Sequence, residues 1–253
     1  MIHLRSKEEI ERLRESGRIV AAALRLAAGL CRPGIRTLDI DKEVEAFIEG
    51  EGGRPAFKGY AIGSKVFPAS VCISIDDEVV HGIPGERRLE SGALVGLDIG
   101  VEKTGYYADA AVTVVAGGCT PEQSDLIDKT CEALGAGINA AVAGNRVGDI
   151  SSAIQRHVEA AGYSVVRDLC GHGIGRTMHE SPQVPNYGRP HSGARLKSGM
   201  VLAIEPMVNV GSWRVEVEDD EWTVVTKDGS LSAHFEHTVV VTDSEAEILT
   251  ICR

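Results

Sequence analysis

The chain has 253 residues, 43% of them hydrophobic and 25% charged, with a formal net charge of −11. That length suits a single large α/β unit, and the acidity argues against general binding to nucleic acid or to an anionic membrane. The N-terminus is too charged for a signal peptide and no apolar run reaches membrane-spanning length, so a cytoplasmic location is expected.

The first predicted element is a helix opened by the capping box Ser6-x-x-Glu9, with Ile10, Leu13, Val20, Leu24 and Ala27 on one face. A second, shorter helix is expected over about 38–49, led in by a G-x-R-x-x-D-I motif at Gly34–Ile40. Residues 89–101, LESGALVGLDIGV, and 106–115, YYADAAVTVV, read as two strands joined through Glu102-Lys103-Thr104-Gly105, a hairpin with its glycine at the turn. With Lys103 and Thr104 at the centre, Asp98 and Asp109 fall directly opposite each other, their alpha carbons roughly 4.5–5.5 Å apart. Like charges so placed destabilise a sheet, and both strands are too apolar for open water, so a cation between them is expected.

The second half repeats the first. Thr120-Pro121-x-Gln123 supplies a cap and a first-turn proline to a helix carrying Leu126, Ile127, Leu134 and Ile138. G-x-R-x-x-D-I returns at Gly144–Ile150, followed by a short helix over about 149–161. His172 stands in the glycine-flanked CGHGIG. Residues 196–208, LKSGMVLAIEPMV, echo 89–101 and end on Glu205, while Glu236 opens EHTVVV as Asp109 opens DAAVTV. The acidic run Glu216–Glu221, bracketed by Trp213 and Trp222, reads as a solvated hairpin rim. The six cysteines (31, 72, 119, 131, 170 and 252) form no C-x-x-C pair and read as reduced thiols.

Internal repetition of this kind predicts one domain over 1–253 made of two half-repeats, approximately 1–118 and 119–253, related by a pseudo-twofold axis. Each half then contributes two acids: Asp98 and Asp109, Glu205 and Glu236. One divalent cation leaves such a site strongly anionic, whereas two, with a hydroxide, nearly neutralise it. Four carboxylates and the imidazole of His172 suit manganese, iron, cobalt or zinc. Two such metals form a standard hydrolytic centre. Taken singly, an acid in a strand is usually solvent-facing and a glycine-flanked histidine usually a loop residue; their combination in register, with an echo, points to a metal site.

HGIP at 81–84, DIG and YADAAVT within 98–113, GHGIGRTMHE at 171–180, IEPMV at 204–208 and FEHTVVVT at 235–242 resemble, in order, the motifs of type I methionine aminopeptidases. The resemblance covers essentially the whole chain. It implies the pita-bread fold of the creatinase and aminopeptidase enzymes, an α/β architecture with antiparallel sheet inside and helices outside. It implies that Asp98 and Asp109 hold one metal, that His172 and Glu205 hold a second, and that Asp109 and Glu236 bridge. It implies that His179 faces the scissile carbonyl, that His81 lies near the leaving nitrogen and that Glu205 shuttles a proton. The pocket walls by resemblance are Tyr60, Phe67, Cys72, Met178 and Trp222, of which Tyr60, Phe67 and Trp222 are equally readable as plain core. AFKGYAIGSKVFPASVC carries about three more residues between Tyr60 and Phe67 than is usual in the family, which predicts a reshaped pocket rim.

The implied activity is removal of the initiator methionine from nascent or newly made polypeptides, with a small second residue preferred, by a monomeric dinuclear enzyme working near the ribosome. The alternatives are an Xaa-Pro aminopeptidase or prolidase-like enzyme, which typically carries an extra N-terminal domain, and a non-catalytic pita-bread binding protein, which usually lacks metal ligands.

Overall fold

The computed structural model of the chain describes residues 2–251. Cys252 lies outside them; the other five cysteines are free. Helix α1 spans Lys7–Leu30 and begins with the expected box, in which Glu9 N–H donates to Ser6 Oγ at 3.2 Å and Ser6 N–H donates to Glu9 Oε2 at 3.0 Å. Helix α3, Pro121–Ala140, is capped the same way by Thr120 and Gln123. Such caps contribute about 1 kcal/mol each by satisfying first-turn amides that have no partner within the helix.

Helices α2, Thr37–Gly50, and α4, Val147–Ala160, start one and two residues before the predicted 38 and 149. Their common motif explains the starts. Arg36 and Arg146 are the N-cap residues, and Asp39 and Asp149 reach back to them. The preceding glycines, Gly34 at φ 88° and Gly144 at φ 99°, adopt a left-handed turn. From there Gly34 N–H donates to Leu89 C=O and Gly144 N–H to Leu196 C=O. Those two leucines open the two copies of the other repeat, so the G-x-R and L-x-S-G motifs are docking partners, used once in each half.

The strands Ala93–Lys103 and Tyr106–Ala116 form a long hairpin at one side of a nine-stranded antiparallel sheet. Val201–Ile204 and Glu236–Val240 pair on the other side, and the two strand pairs meet where Glu236 pairs Ala111 and His237 pairs Ala110. Alternation then sorts the side chains. Val95, Leu97, Ile99 and Val101 face α1 and α2 in one apolar core; Leu202, Ile204 and Val239 face α3 and α4 in another. Each fully buried side chain of this size contributes roughly 1.5–3 kcal/mol. The intervening residues, Asp98, Asp109, Ala111, Ala203 and Glu236, are left on the face away from the helices. Among the described residues no helix is long and apolar enough to cross a membrane.

One register differs from expectation. Asp98 pairs with Ala111 and Asp109 with Gly100, because Thr104 and Gly105, not Lys103 and Thr104, form the centre of the turn. Both have positive φ, 54° and 83°, the requirement of a type I′ turn, and glycine fits its second position. Moving the turn by one residue moves the pairing by two, which preserves the face. The two acids therefore stand diagonal to one another instead of opposite.

Candidate active site

Two rows of residues cross the sheet on its open face. In the first, Cys72, Asp98, Ala111 and Glu236 are successive cross-strand partners; Glu205, one residue past the pair Ile204–His237, stands level with Glu236. In the second, Asp109 faces Gly100, and His172 faces Ala203. Ala111, Ala203 and Gly100 are small, so the acids meet above them. The ladder beside Asp109 is replaced by Thr238, whose Oγ1 accepts from Asp109 N–H at 2.9 Å and donates to Asp109 C=O at 2.8 Å. The backbone of Asp109 is thus held from both ends independently of its carboxylate.

Ligand atoms of Asp109, His172 and Glu236 all lie within 4.8 Å of one another. His172 Nε2 lies 3.6 Å from Glu205 Oε1, and Asp98 is close enough to Asp109 for the two carboxyls to hydrogen-bond. The five predicted ligands are therefore brought together. Burial, and then mutual repulsion, pushes Asp98, Glu205 and Glu236 well above the usual carboxylate range, and burial pushes Asp109 up to about 7. Among the described residues no lysine or arginine pairs with any of them; within 4 Å only His172 and His234 approach, each at Glu205. Burial takes those imidazoles down to about 4 and about 3, so they bring no positive charge near neutral pH.

These residues fit divalent metal. Asp98 Oδ1, Asp109 Oδ1 and Glu236 Oε1 are buried without a hydrogen-bond partner, an arrangement that is costly unless a cation satisfies them. His172 Nδ1 lies 2.9 Å from Gly173 C=O; donating there leaves the Nε2 lone pair toward the acids, the usual tautomer lock of a metal-binding histidine.

A cavity of about 120 Å³ opens above this cluster, lined by the five candidate ligands, His81 and His179, and by Phe57, Tyr60, Ile62, Phe67, Cys72 and Trp222. Phe67 packs edge-on to Trp222, centroids 5.3 Å apart. The Cys72 thiol is held protonated by burial and by the surrounding carboxylates, so it acts as a neutral wall. The His179 ring lies tilted at 55° against His172, centroids 4.3 Å apart, and its Nδ1 is 2.8 Å from the Tyr60 hydroxyl. Burial raises the pKa of Tyr60, which keeps its proton. Donation of that proton to Nδ1 leaves Nε2–H of His179 free to donate. His81 sits at φ 62°, a left-handed backbone uncommon outside glycine. Gly82 holds it there: a Cβ at that position would lie 2.2 Å from Ile73 O.

Met178 is a correction. It does not line the cavity but is 3% exposed within an apolar cluster, its Cε packed over Gly100 beside Phe57 and Ala56. The side chain of Phe57 takes the wall position instead. Three residues at the site were missed by sequence reasoning: Phe57, Ile62 and His234. Phe57 carried no signal distinguishing it from core. Ile62 lies in the longer Tyr60–Phe67 segment. His234 is two residues before Glu236, a same-face spacing that was readable; its buried Nε2 has no hydrogen-bond partner and lies 3.9 Å from Glu205 Oε2.

The description "Metallopeptidase family M24" matches residues 11–243 of the chain. The methionine aminopeptidase of Clostridium acetobutylicum is 49% identical over 253 residues, with all of both chains covered. Methionine aminopeptidase 1 of Bacillus subtilis is 46% identical over 99% of each chain. The crystal structure of methionine aminopeptidase from Thermotoga maritima superposes with a TM-score of 0.96 at 43% identity, again over the whole of both chains.

Proposed function

The chain belongs to metallopeptidase family M24 and has its pita-bread fold, and from that premise we propose that it is a methionine aminopeptidase, removing the N-terminal methionine of newly made polypeptides. The observation that carries this reading is a buried four-acid, one-imidazole cluster opening into an apolar-walled cavity. At about 120 Å³ the cavity equals the share of roughly four waters at ~30 Å³ each, room for a short unbranched side chain. Cys72, Phe57, Phe67, Ile62 and Trp222 offer a thioether polarizable, apolar contact.

Asp98, Asp109, His172, Glu205 and Glu236 would hold two divalent ions, of cobalt, manganese, iron or zinc. Bound metal supplies a water acidic enough to act as nucleophile near neutral pH and polarises the scissile carbonyl. The protein groups divide the remaining work. His179, kept neutral by burial, donates from Nε2–H to the carbonyl oxygen as negative charge develops there. Glu205 takes the proton of the attacking water on its carboxylate and returns it to the departing amine. His81, which burial and the neighbouring His179 take down to about 4, is a neutral partner for the nitrogen of the bond being cut. The apolar walls suit one side chain, and a small second residue is the preference proposed with it. Free cysteines suit a reducing compartment, and we propose that the protein acts there, in the cytoplasm, as a monomer on chains emerging from the ribosome.

The direct test is hydrolysis of Met-Ala-Ser against Ala-Pro-Ala by chelator-stripped protein reloaded with manganese, cobalt, iron or zinc in turn. Metal-dependent release of methionine from the first peptide alone is expected. Cleavage of only the proline peptide, or no turnover with metal bound, would overturn the reading.

Metal removal should also leave a pH signature. The four carboxyls titrate higher in the folded chain than unfolded, so their contribution to stability is intact at low pH and is lost as pH rises through the folded values. The buried imidazoles titrate lower when folded; their contribution is present above about 6.5 and is lost as pH falls toward 4. Above pH 7 the imidazoles no longer contribute, and the carboxyls are joined near pH 8.5 by the thiols of Cys31, Cys72, Cys131 and Cys170, which burial also raises. The Tm of metal-free protein should therefore fall from pH 7 to about 8, before the thiols contribute, and saturating manganese should flatten most of that fall. Equal slopes with and without metal would count against the four-acid site.

A further inference from the structure

The longer segment between Tyr60 and Phe67 is not absorbed by the chemistry above. It forms a small hairpin, Ala61–Ile62 against Lys65–Val66, turned at Gly63 and Ser64. Gly63 alone has positive φ, 63°, which is the type II′ pattern with glycine first. The base is closed by Gly59 N–H donating to Phe67 C=O and Phe67 N–H to Tyr60 C=O, both 2.9 Å. Two residues per strand make a marginal ladder in water, so the tip needs a further anchor. Lys65 Nζ supplies it, 3.1 Å from Glu221.

Glu221 is well placed as an anchor. It is held at φ 66° by a tight turn in which Asp220 Oδ1 accepts from the N–H groups of both Trp222 and Thr223 at 2.8 Å. The next residue, Trp222, is a cavity wall and meets Phe67 at the hairpin base. The hairpin therefore spans the cavity mouth from the Phe57–Phe67 side to the Trp222 side. On it, Ile62 is 58% exposed yet lines the cavity: one flank faces water and the other faces the space assigned to the substrate side chain.

We propose that the Ala61–Val66 hairpin is a strap that sets the depth of the side-chain pocket, Ile62 closing its outer end and the Lys65–Glu221 pair latching the strap to the Trp222 wall. This deepens the reading above and rests on it. The latch is an exposed pair, Lys65 39% and Glu221 62% accessible at the side chain; it is weak and screened by salt, so the strap opens readily to admit a chain and discriminates by how well it recloses over the first residue. Methionine lets it close; a phenylalanine side chain, wider and rigid, holds it off.

The test compares kcat/KM for Met-Ala-Ser and Phe-Ala-Ser in the metal-loaded parent, Ile62→Ala, Lys65→Glu and the charge swap Lys65→Glu/Glu221→Lys. The preference for methionine is expected to fall at least ~10-fold in Ile62→Ala, the scale on which pocket methylenes discriminate. It should fall less in Lys65→Glu, chiefly through KM, and return in the swap. Raising salt from 0.05 to 0.5 M should erode the preference of the parent and not that of Lys65→Glu. A preference in Ile62→Ala within twofold of the parent, or a swap that fails to restore Lys65→Glu, would overturn the strap. The same selectivity is read without turnover from quenching of Trp222 fluorescence by free L-methionine or L-phenylalanine in a Trp213→Phe background. A parent that binds methionine selectively but cleaves neither peptide would sink the peptidase reading and leave the strap standing.

Discussion

Asp109→Asn should abolish turnover while leaving the fold in place. Loss of an outer hydrogen-bond partner of a metal ligand typically costs 10–100-fold; loss of a proposed ligand shared by both metals should cost at least ~100-fold in kcat/KM and lower the bound metal. The structure separates this from misfolding. Asp109 is 4% exposed among other acids, and its backbone N–H and C=O are both held by Thr238 Oγ1 rather than by its own side chain. Asparagine removes a charge from a repulsive cluster, so in the absence of metal the variant should unfold at or above the temperature of the metal-free parent. Full turnover in Asp109→Asn at saturating metal would defeat the two-metal assignment, and a large drop in Tm of the metal-free protein would show that the residue is needed for folding instead.

His179→Ala should lower kcat by about 10²–10³, the range seen when one donor to a developing oxyanion is removed, with metal content measured by elemental analysis unchanged. Three features of the site underlie this. Among the described residues no carboxylate lies within ion-pair distance of His179, whereas His172 is 3.6 Å from Glu205. Its Nδ1 is engaged by Tyr60 at 2.8 Å, so only Nε2 is available. Burial holds the ring neutral, able to donate without adding charge. A parallel loss of metal would make His179 a ligand and displace it from the oxyanion role; a raised KM with kcat intact would make it a binding residue only.

Much of this arrangement was legible in the residues. Ser6–Glu9 and Thr120–Gln123 are local capping chemistry, set by neighbours three positions apart, and they appear as read. The two G-x-R-x-x-D-I copies and the two L-x-S-G copies were visible as repeats; that each pair docks through Gly34–Leu89 and Gly144–Leu196 was not, because a contact of that range leaves no mark in either segment. The direct Asp98–Asp109 opposition failed by one turn residue. Glu102-Lys103-Thr104-Gly105 offers two centres, and only the positive φ of Thr104 beside Gly105 selects between them. Met178 was placed by position in a motif, whereas the space over Gly100 decides where its flexible side chain packs.

The sequence by itself determined the repeated motifs, the two capping boxes, the strand faces and most of the acids and imidazoles that gather at the site, since each depends on spacing along the chain. Tertiary structure alone decided which walls close the cavity, how Ile62 and the Lys65–Glu221 pair lie across its mouth, and that His234 points an unsatisfied nitrogen at Glu205. Those features arise where segments far apart in sequence pack against one another. The outcome there turns on angstrom-scale shape and on desolvation, neither of which is written in the spacing of residues along the chain.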